Sequence, residues 1–93
     1  MPNTASAKKR MRQDAKRRAR NRAIKSATKT QIRKFLAALG TGDLQAAQDQ
    51  FRLAARALDR AVSRGVLHKN TAARRKSRLA ARLKQALAAT TQG

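Results

Sequence analysis

Between Ala7 and Lys34 the sequence sets thirteen of its twenty-four basic residues among alanines, with Asp14 as the single acid. They are Lys8, Lys9, Arg10, Arg12, Lys16, Arg17, Arg18, Arg20, Arg22, Lys25, Lys29, Arg33 and Lys34. Over the whole chain Arg outnumbers Lys fifteen to nine, a bias that suits forked hydrogen bonds to oxyanions. On a helical projection of about 100° per residue, Lys8, Arg12, Lys16, Arg20 and Lys34 fall on one side. Arg10 and Arg17 fall opposite, and Arg18, Arg22, Lys25, Lys29 and Arg33 fill the flank between. A helix with cations on every face cannot dock along that length on a protein core, because buried unpaired charges are strongly unfavourable. Like charges four apart, as in Lys16/Arg20 and Lys25/Lys29, also oppose the isolated helix. The counter-charge must come from a polyanion, and nucleic acid is the commonest one in a cell.

Other chemistries lack their residues. Asp14, Asp43, Asp49 and Asp59 are the only carboxylate side chains, and they form no pair at catalytic spacing. Without Cys there is neither a disulfide framework nor a thiolate metal site. His68, the one His, has no companions for a metal site or a catalytic triad, and no Gly-rich phosphate loop is present. The expectation is a protein that is not an enzyme, with no catalytic residues, cofactor, metal or small-molecule substrate. There is no Trp or Tyr, and Phe35 and Phe51 both fall on core-type faces, so no aromatic platform exists for splayed bases. Recognition is expected through shape and phosphate contacts, with Asn, Ser or Thr groups on 2′-hydroxyls or base edges.

The elements that must carry these cations follow from periodicity. Residues 1–6 read as a disordered polar leader. Residues 7–39 read as one long helix, rich in Ala, Arg and Lys and free of Pro and Gly before Gly40. Within it Ile24, Thr28, Ile32, Phe35 and Leu39 share a core-facing stripe. Traced backward, the same face carries Asn21, Arg17, Asp14 and Arg10, so the stripe ends near Asn21. Residues 7–22 are therefore expected to project as an arm that buries none of the protein. Ordering such a segment costs about 1–2 kcal/mol per residue with no core to offset it, so in free solution the arm should fray and fold when phosphates neutralise it.

Gly40-Thr41-Gly42-Asp43 reads as a stop signal followed by an N-cap or first-turn acid, and so short a loop favours an antiparallel neighbour. A second helix over residues 43–64 has Leu44, Ala47, Phe51, Ala54, Leu58, Ala61 and Val62 on its apolar face. Nearly opposite runs the row Arg52, Arg56, Arg60 and Arg64. That row is either a solvated face, helped by Asp49/Arg52 and Arg56/Asp59 pairs, or a second phosphate-tracking stripe. Leu53 falls among these arginines and fits neither reading. After Gly65 a third helix over residues 68–89 has Ala72, Leu79, Leu83, Ala86 and Leu87 inside, with Lys76 interrupting that face. Arg74, Arg75, Arg78 and Arg82 form its basic edge, and residues 90–93 a frayed tail. Asn70 or Thr71 is expected to cap the third helix. The result is one all-α domain, residues 1–93: a three-helix bundle with a long, protruding basic first helix.

Net charge is +12 over residues 1–34, +1 over 35–65 and +7 over 66–93. The longest apolar run, Phe35-Leu36-Ala37-Ala38-Leu39, is far short of a signal or membrane segment, and a cytoplasmic protein without a membrane partner is expected. The basic arm has no apolar face to insert into a lipid surface. A helix-turn-helix regulator is disfavoured by a first helix of this length and by third-helix arginines lying beside the core face. A histone-like or nucleoid-associated DNA-binding protein is the alternative on composition, but three capped segments with consistent apolar faces set this chain apart from such tails.

The run from Arg20 to Thr30, RNRAIKSATKT, resembles the first-helix signature of the bacterial small-subunit ribosomal protein numbered twenty. The run from Gly65 to Leu79, GVLHKNTAARRKSRL, is similar to that family's third-helix signature and is the more specific of the two. The Gly42-Asp43 turn and the alanine-rich second helix agree in spacing, so the resemblance covers nearly the whole chain. It implies a three-helix bundle with an extended first helix that binds small-subunit ribosomal RNA directly and joins early in assembly. Such proteins bridge the 5′ domain and the base of the long helix near the RNA's 3′ end, and meet other small-subunit components through the RNA. A ribosome-bound, cytoplasmic protein is implied. The candidate RNA-binding residues are then Lys8, Lys9, Arg10, Arg12, Lys16, Arg17, Arg18, Arg20, Asn21, Arg22, Lys25, Ser26, Lys29, Thr30 and Arg33 from the first helix. The third contributes His68, Lys69, Asn70, Arg74, Arg75, Lys76 and Arg78. Of these, His68 is as well suited to a polar contact at the helix start as to RNA, and Lys69 and Asn70 rest on the resemblance.

Overall fold

A computed structural model describes residues 4–92 as three helices: α1 (Thr4–Thr41), α2 (Leu44–Ser63) and α3 (Lys69–Gln92). Helix α1 starts three residues ahead of the expected Ala7. Thr4-Ala5-Ser6 contains no breaker and continues the alanine-rich pattern, so these residues are helical and not part of a leader. Met1 to Asn3 and Gly93 lie outside the described residues. At the other end α3 runs on through Thr90, Thr91 and Gln92, which were expected to fray, since no Gly or Pro interrupts the backbone before Gly93.

The two connections are short and each is closed by hydrogen bonds. Gly40 stays inside the last turn of α1, and Gly42 supplies the left-handed residue that ends it, at φ 80°. Asp43 then caps α2: its side-chain oxygen accepts from the Ala46 amide at 3.1 Å, and its carbonyl accepts from Ala47 at 2.9 Å. At the far end of α2, Gly65 has φ 73°. The Gly65 amide donates to the Val62 carbonyl at 3.0 Å and the Val66 amide to Ala61 at 2.8 Å, the paired bonds of a Schellman motif.

Helix α2 packs along both α1 and α3, while α1 and α3 approach each other only slightly. Phe35, Ala47, Ala54, Leu58, Ala72 and Leu79 form the buried cluster, with Ile32, Leu36, Leu39, Phe51, Val62, Leu67 and Leu83 packed partly buried around it. Ala47, Ala54 and Ala61 recur every seven residues on α2 and are fully buried, so small side chains let the neighbouring helices come close. Phe35 and Phe51 meet with ring centroids 5.7 Å apart at a tilt of 58°, a favoured aromatic geometry. The buried hydroxyl of Thr28 donates to the Ile24 carbonyl at 2.8 Å, so it can sit in the apolar stripe without an unpaired donor. Gln31 and Gln50 join α1 to α2 through their side-chain amides.

The molecule is a rod. Its extents are 74 × 22 × 13 Å and its radius of gyration is 18.6 Å, against about 12 Å for a compact domain of this length. Residues 5–20 are exposed without exception, and the first half-buried residue is Asn21.

Leu58 is fully buried at the centre of the cluster, and Leu53 on the same helix is 43% exposed. Leu58→Ala should lower unfolding stability by about 2–5 kcal/mol in urea melts, and Leu58→Asp should abolish the cooperative transition. Leu53→Ala should change stability by no more than about 0.5 kcal/mol.

Candidate nucleic-acid interface

The arm presents its cations as its sequence does, on all sides. Lys8, Lys9, Arg10, Arg12, Lys16, Arg17, Arg18 and Arg20 are all exposed. Among the described acids, only Asp14 lies on this stretch. Beyond Asn21, Arg22, Lys25, Ser26, Lys29, Thr30 and Arg33 stay exposed while Ile24, Thr28, Ile32 and Phe35 turn toward α2. The segment is thus a cationic helix that becomes amphipathic where the bundle begins.

Packing gathers several of these cations into clefts. At the root of the arm, Arg17, Arg20, Asn21 and Ile24 face Arg64 and Gly65 across one notch. A turn or two further on, Lys25, Thr28 and Lys29 of α1 share a second cleft with Ala61, Val66, Leu67 and Arg75. Along the open side between α1 and α3, an apolar floor of Ile32, Leu36 and Leu79 is flanked by Arg75, Arg78 and Arg82. Arg75 therefore borders two clefts and brings the third helix's charge to the first. Arg74 is exposed and lines neither. None of the three clefts has an acidic residue in its lining.

Three residues behave differently from their sequence reading. Lys76 donates to Asp59 at 2.9 Å across the α2–α3 seam, so its charge is paired within the protein, unlike those of the arm. Asp59, expected beside Arg56, is taken by this cross-helix partner, whereas Asp49 does pair with Arg52 at 3.7 Å. His68, not Asn70 or Thr71, caps α3: its Nδ1 accepts from the Asn70 amide at 3.1 Å and its carbonyl accepts from Ala72 at 3.1 Å. Lys69 lies in the groove with Asp59, Val62 and Lys76.

Arg64 and Arg82 are cleft cations outside the candidate set. Arg82 continues the Arg74-Arg78 spacing, so the signal was in the sequence. Arg64 could be placed only by packing. Leu53 also finds a position, in a shallow groove with Ala27, Gln31, Arg56, Ala57 and Arg60, where it partly covers the outer seam between α1 and α2. Among the described residues no group of His, Cys, Asp or Glu is placed to hold a metal ion, and no helix is long and apolar enough to cross a membrane.

A family model described as Ribosomal protein S20 matches residues 2–84. The small ribosomal subunit protein bS20 of Thermobifida fusca is 55% identical over 85 residues, covering 91% of this chain and 92% of that protein. Its counterpart in Symbiobacterium thermophilum is 56% identical over 89 residues, 96% of this chain and 92% of that protein. That of Caldanaerobacter subterraneus subsp. tengcongensis is 55% identical over 82 residues, 88% of this chain and 78% of that protein.

The capping geometry sets an order of effects in thermal melts. His68→Ala should destabilise by about 1 kcal/mol, and His68→Asn, which restores an acceptor, should recover most of it. Asn70→Ala should have the smaller effect.

Proposed function

The chain belongs to the ribosomal protein S20 family of the small ribosomal subunit, and from that premise we propose that it binds small-subunit ribosomal RNA directly and clamps RNA helices together during assembly. The observation that carries this reading is the arm: sixteen residues, 5–20, helical and exposed throughout, bearing eight cations and one acid. Among the described residues no ion pair with the bundle neutralises them. A rod charged on every side can lie between duplex backbones and touch several at once, which a one-sided basic patch cannot do.

The binding chemistry is phosphate-centred. Arg and Lys reach backbone oxygens, and Asn21, Ser26 and Thr30 supply hydrogen-bonding groups for sugars or base edges. The two Phe rings are engaged with each other and are not offered to bases. Register comes from the bundle: the clefts at Arg64, at Lys25, Lys29 and Arg75, and along Arg78 and Arg82 fix where the arm sits. Lys76, held by Asp59, acts on α2–α3 packing more than on RNA. Other small-subunit components are met through the RNA, on the ribosome in the cytoplasm. A nucleoid DNA-binding role has only composition in its favour.

Deleting residues 1–20 should leave the cooperative helical melt of the bundle in place. It should weaken binding to a small-subunit ribosomal RNA transcript by about a hundredfold or more near physiological salt, and flatten the log K against log salt slope by several units. Loss of the melt would place the arm in the core. Equal affinity of the full chain for the transcript and for duplex DNA of matched length would exclude the ribosomal RNA reading.

A further inference from the structure

The row Arg52, Arg56, Arg60 and Arg64 is uniform in sequence but not in space. Arg52 sits by Asp49 at 3.7 Å. Arg56 and Arg60 flank the groove that holds Leu53, where α1 contributes only Ala27 and Gln31. Arg64 alone meets cations of another helix: with Arg17, Arg20, Asn21, Ile24 and Gly65 it lines a notch of about 430 Å³.

Three arginines, two from α1 and the C-cap of α2, line one space with no acid in its walls. Among the described residues no ion pair relieves their mutual repulsion, and an anion seated among them would be attracted by all three. The seat is also held in shape. Arg64 is the C-cap of α2, its amide bonded to the Arg60 carbonyl, and the next two residues are fixed by their bonds to Val62 and Ala61. Arg17 and Arg20 project from consecutive turns of a continuous helix. Beside Gly65 the space is open, with no atom beyond its own chain neighbours within 4 Å of where a Cβ would stand, so a ligand can come close to the backbone there.

We propose that this notch is a phosphodiester seat: a backbone phosphate of the bound RNA is gripped jointly by Arg17 and Arg20 of α1 and Arg64 of α2 where the arm leaves the bundle. Arg64 is thereby a binding residue, unlike Arg52, Arg56 and Arg60. The seat rests on the reading of the chain as an RNA binder and adds the point at which the arm's direction is tied to the bundle. A phosphate held from both helices fixes the angle at which the arm enters the RNA.

The test compares Arg64→Gln with Arg52→Gln in the full chain, each removing one charge from an exposed position on the same helix. Binding to a small-subunit ribosomal RNA transcript is measured over a range of salt concentrations. Arg64→Gln should weaken binding about tenfold and lower the salt slope by about one. Arg52→Gln should change affinity less than about twofold, and Arg64→Lys, a cation without the fork, should fall between wild type and Arg64→Gln. Arg20→Gln combined with Arg64→Gln should lose less than the sum of the two separate effects, because a shared phosphate is released only once. Equal losses for Arg64→Gln and Arg52→Gln, or strict additivity of the Arg20 and Arg64 changes, would overturn the seat while leaving RNA binding in place. A wild-type chain that does not bind the transcript overturns both.

Discussion

Positive charge that surrounds a helix cannot be buried against protein, and this constraint divides the molecule. Where cations occupy every face of α1, no other described segment covers it. Where the face of Ile24, Thr28, Ile32 and Phe35 turns apolar, α2 packs against it. The boundary lies near Asn21, the first residue that is not fully exposed. One continuous backbone thus serves as an exposed cationic arm at one end and as a wall of the core at the other, with no linker between them.

The core is small and economical in side chains. Alanines at seven-residue spacing on α2 let it approach α1 and α3, and a few large residues, chiefly Phe35 and Leu58, fill the centre. Because α1 and α3 touch each other little, the bundle has an open side, and that side carries Arg75, Arg78 and Arg82 around an apolar floor. The stabilising contacts and the cationic clefts are therefore adjacent, and α2 is the common support of both. The pair Lys76–Asp59 belongs to this support: exposed on both sides, it adds little stability as an isolated ion pair but ties α3 to α2 beside the clefts.

Capping supplies the remaining definition. Gly42 and Gly65 take left-handed backbone, Asp43 and His68 satisfy the first amides of α2 and α3, and the chain reverses in a few residues at each end of α2. His68 is an unusual cap, and its position at the start of α3 leaves the basic edge of that helix beginning immediately behind a fixed turn.

By itself the sequence determined the helical class, the apolar faces of all three helices, the turns at Gly42-Asp43 and Gly65, and the uncompensated charge of the first helix. Each of these is a local property: periodicity, propensity and charge are carried by neighbours along one strand of chain. Tertiary structure alone decided which cations meet. Arg64 reads as one of four equivalent arginines until packing of α2 on α1 sets it beside Arg17 and Arg20. Asp59 reads as a partner for Arg56 until α3 brings Lys76 within 2.9 Å. Those outcomes depend on the rotation and crossing of helices about each other, which the fit of side chains such as Phe35, Ala54 and Leu58 fixes and which no spacing within a single helix records.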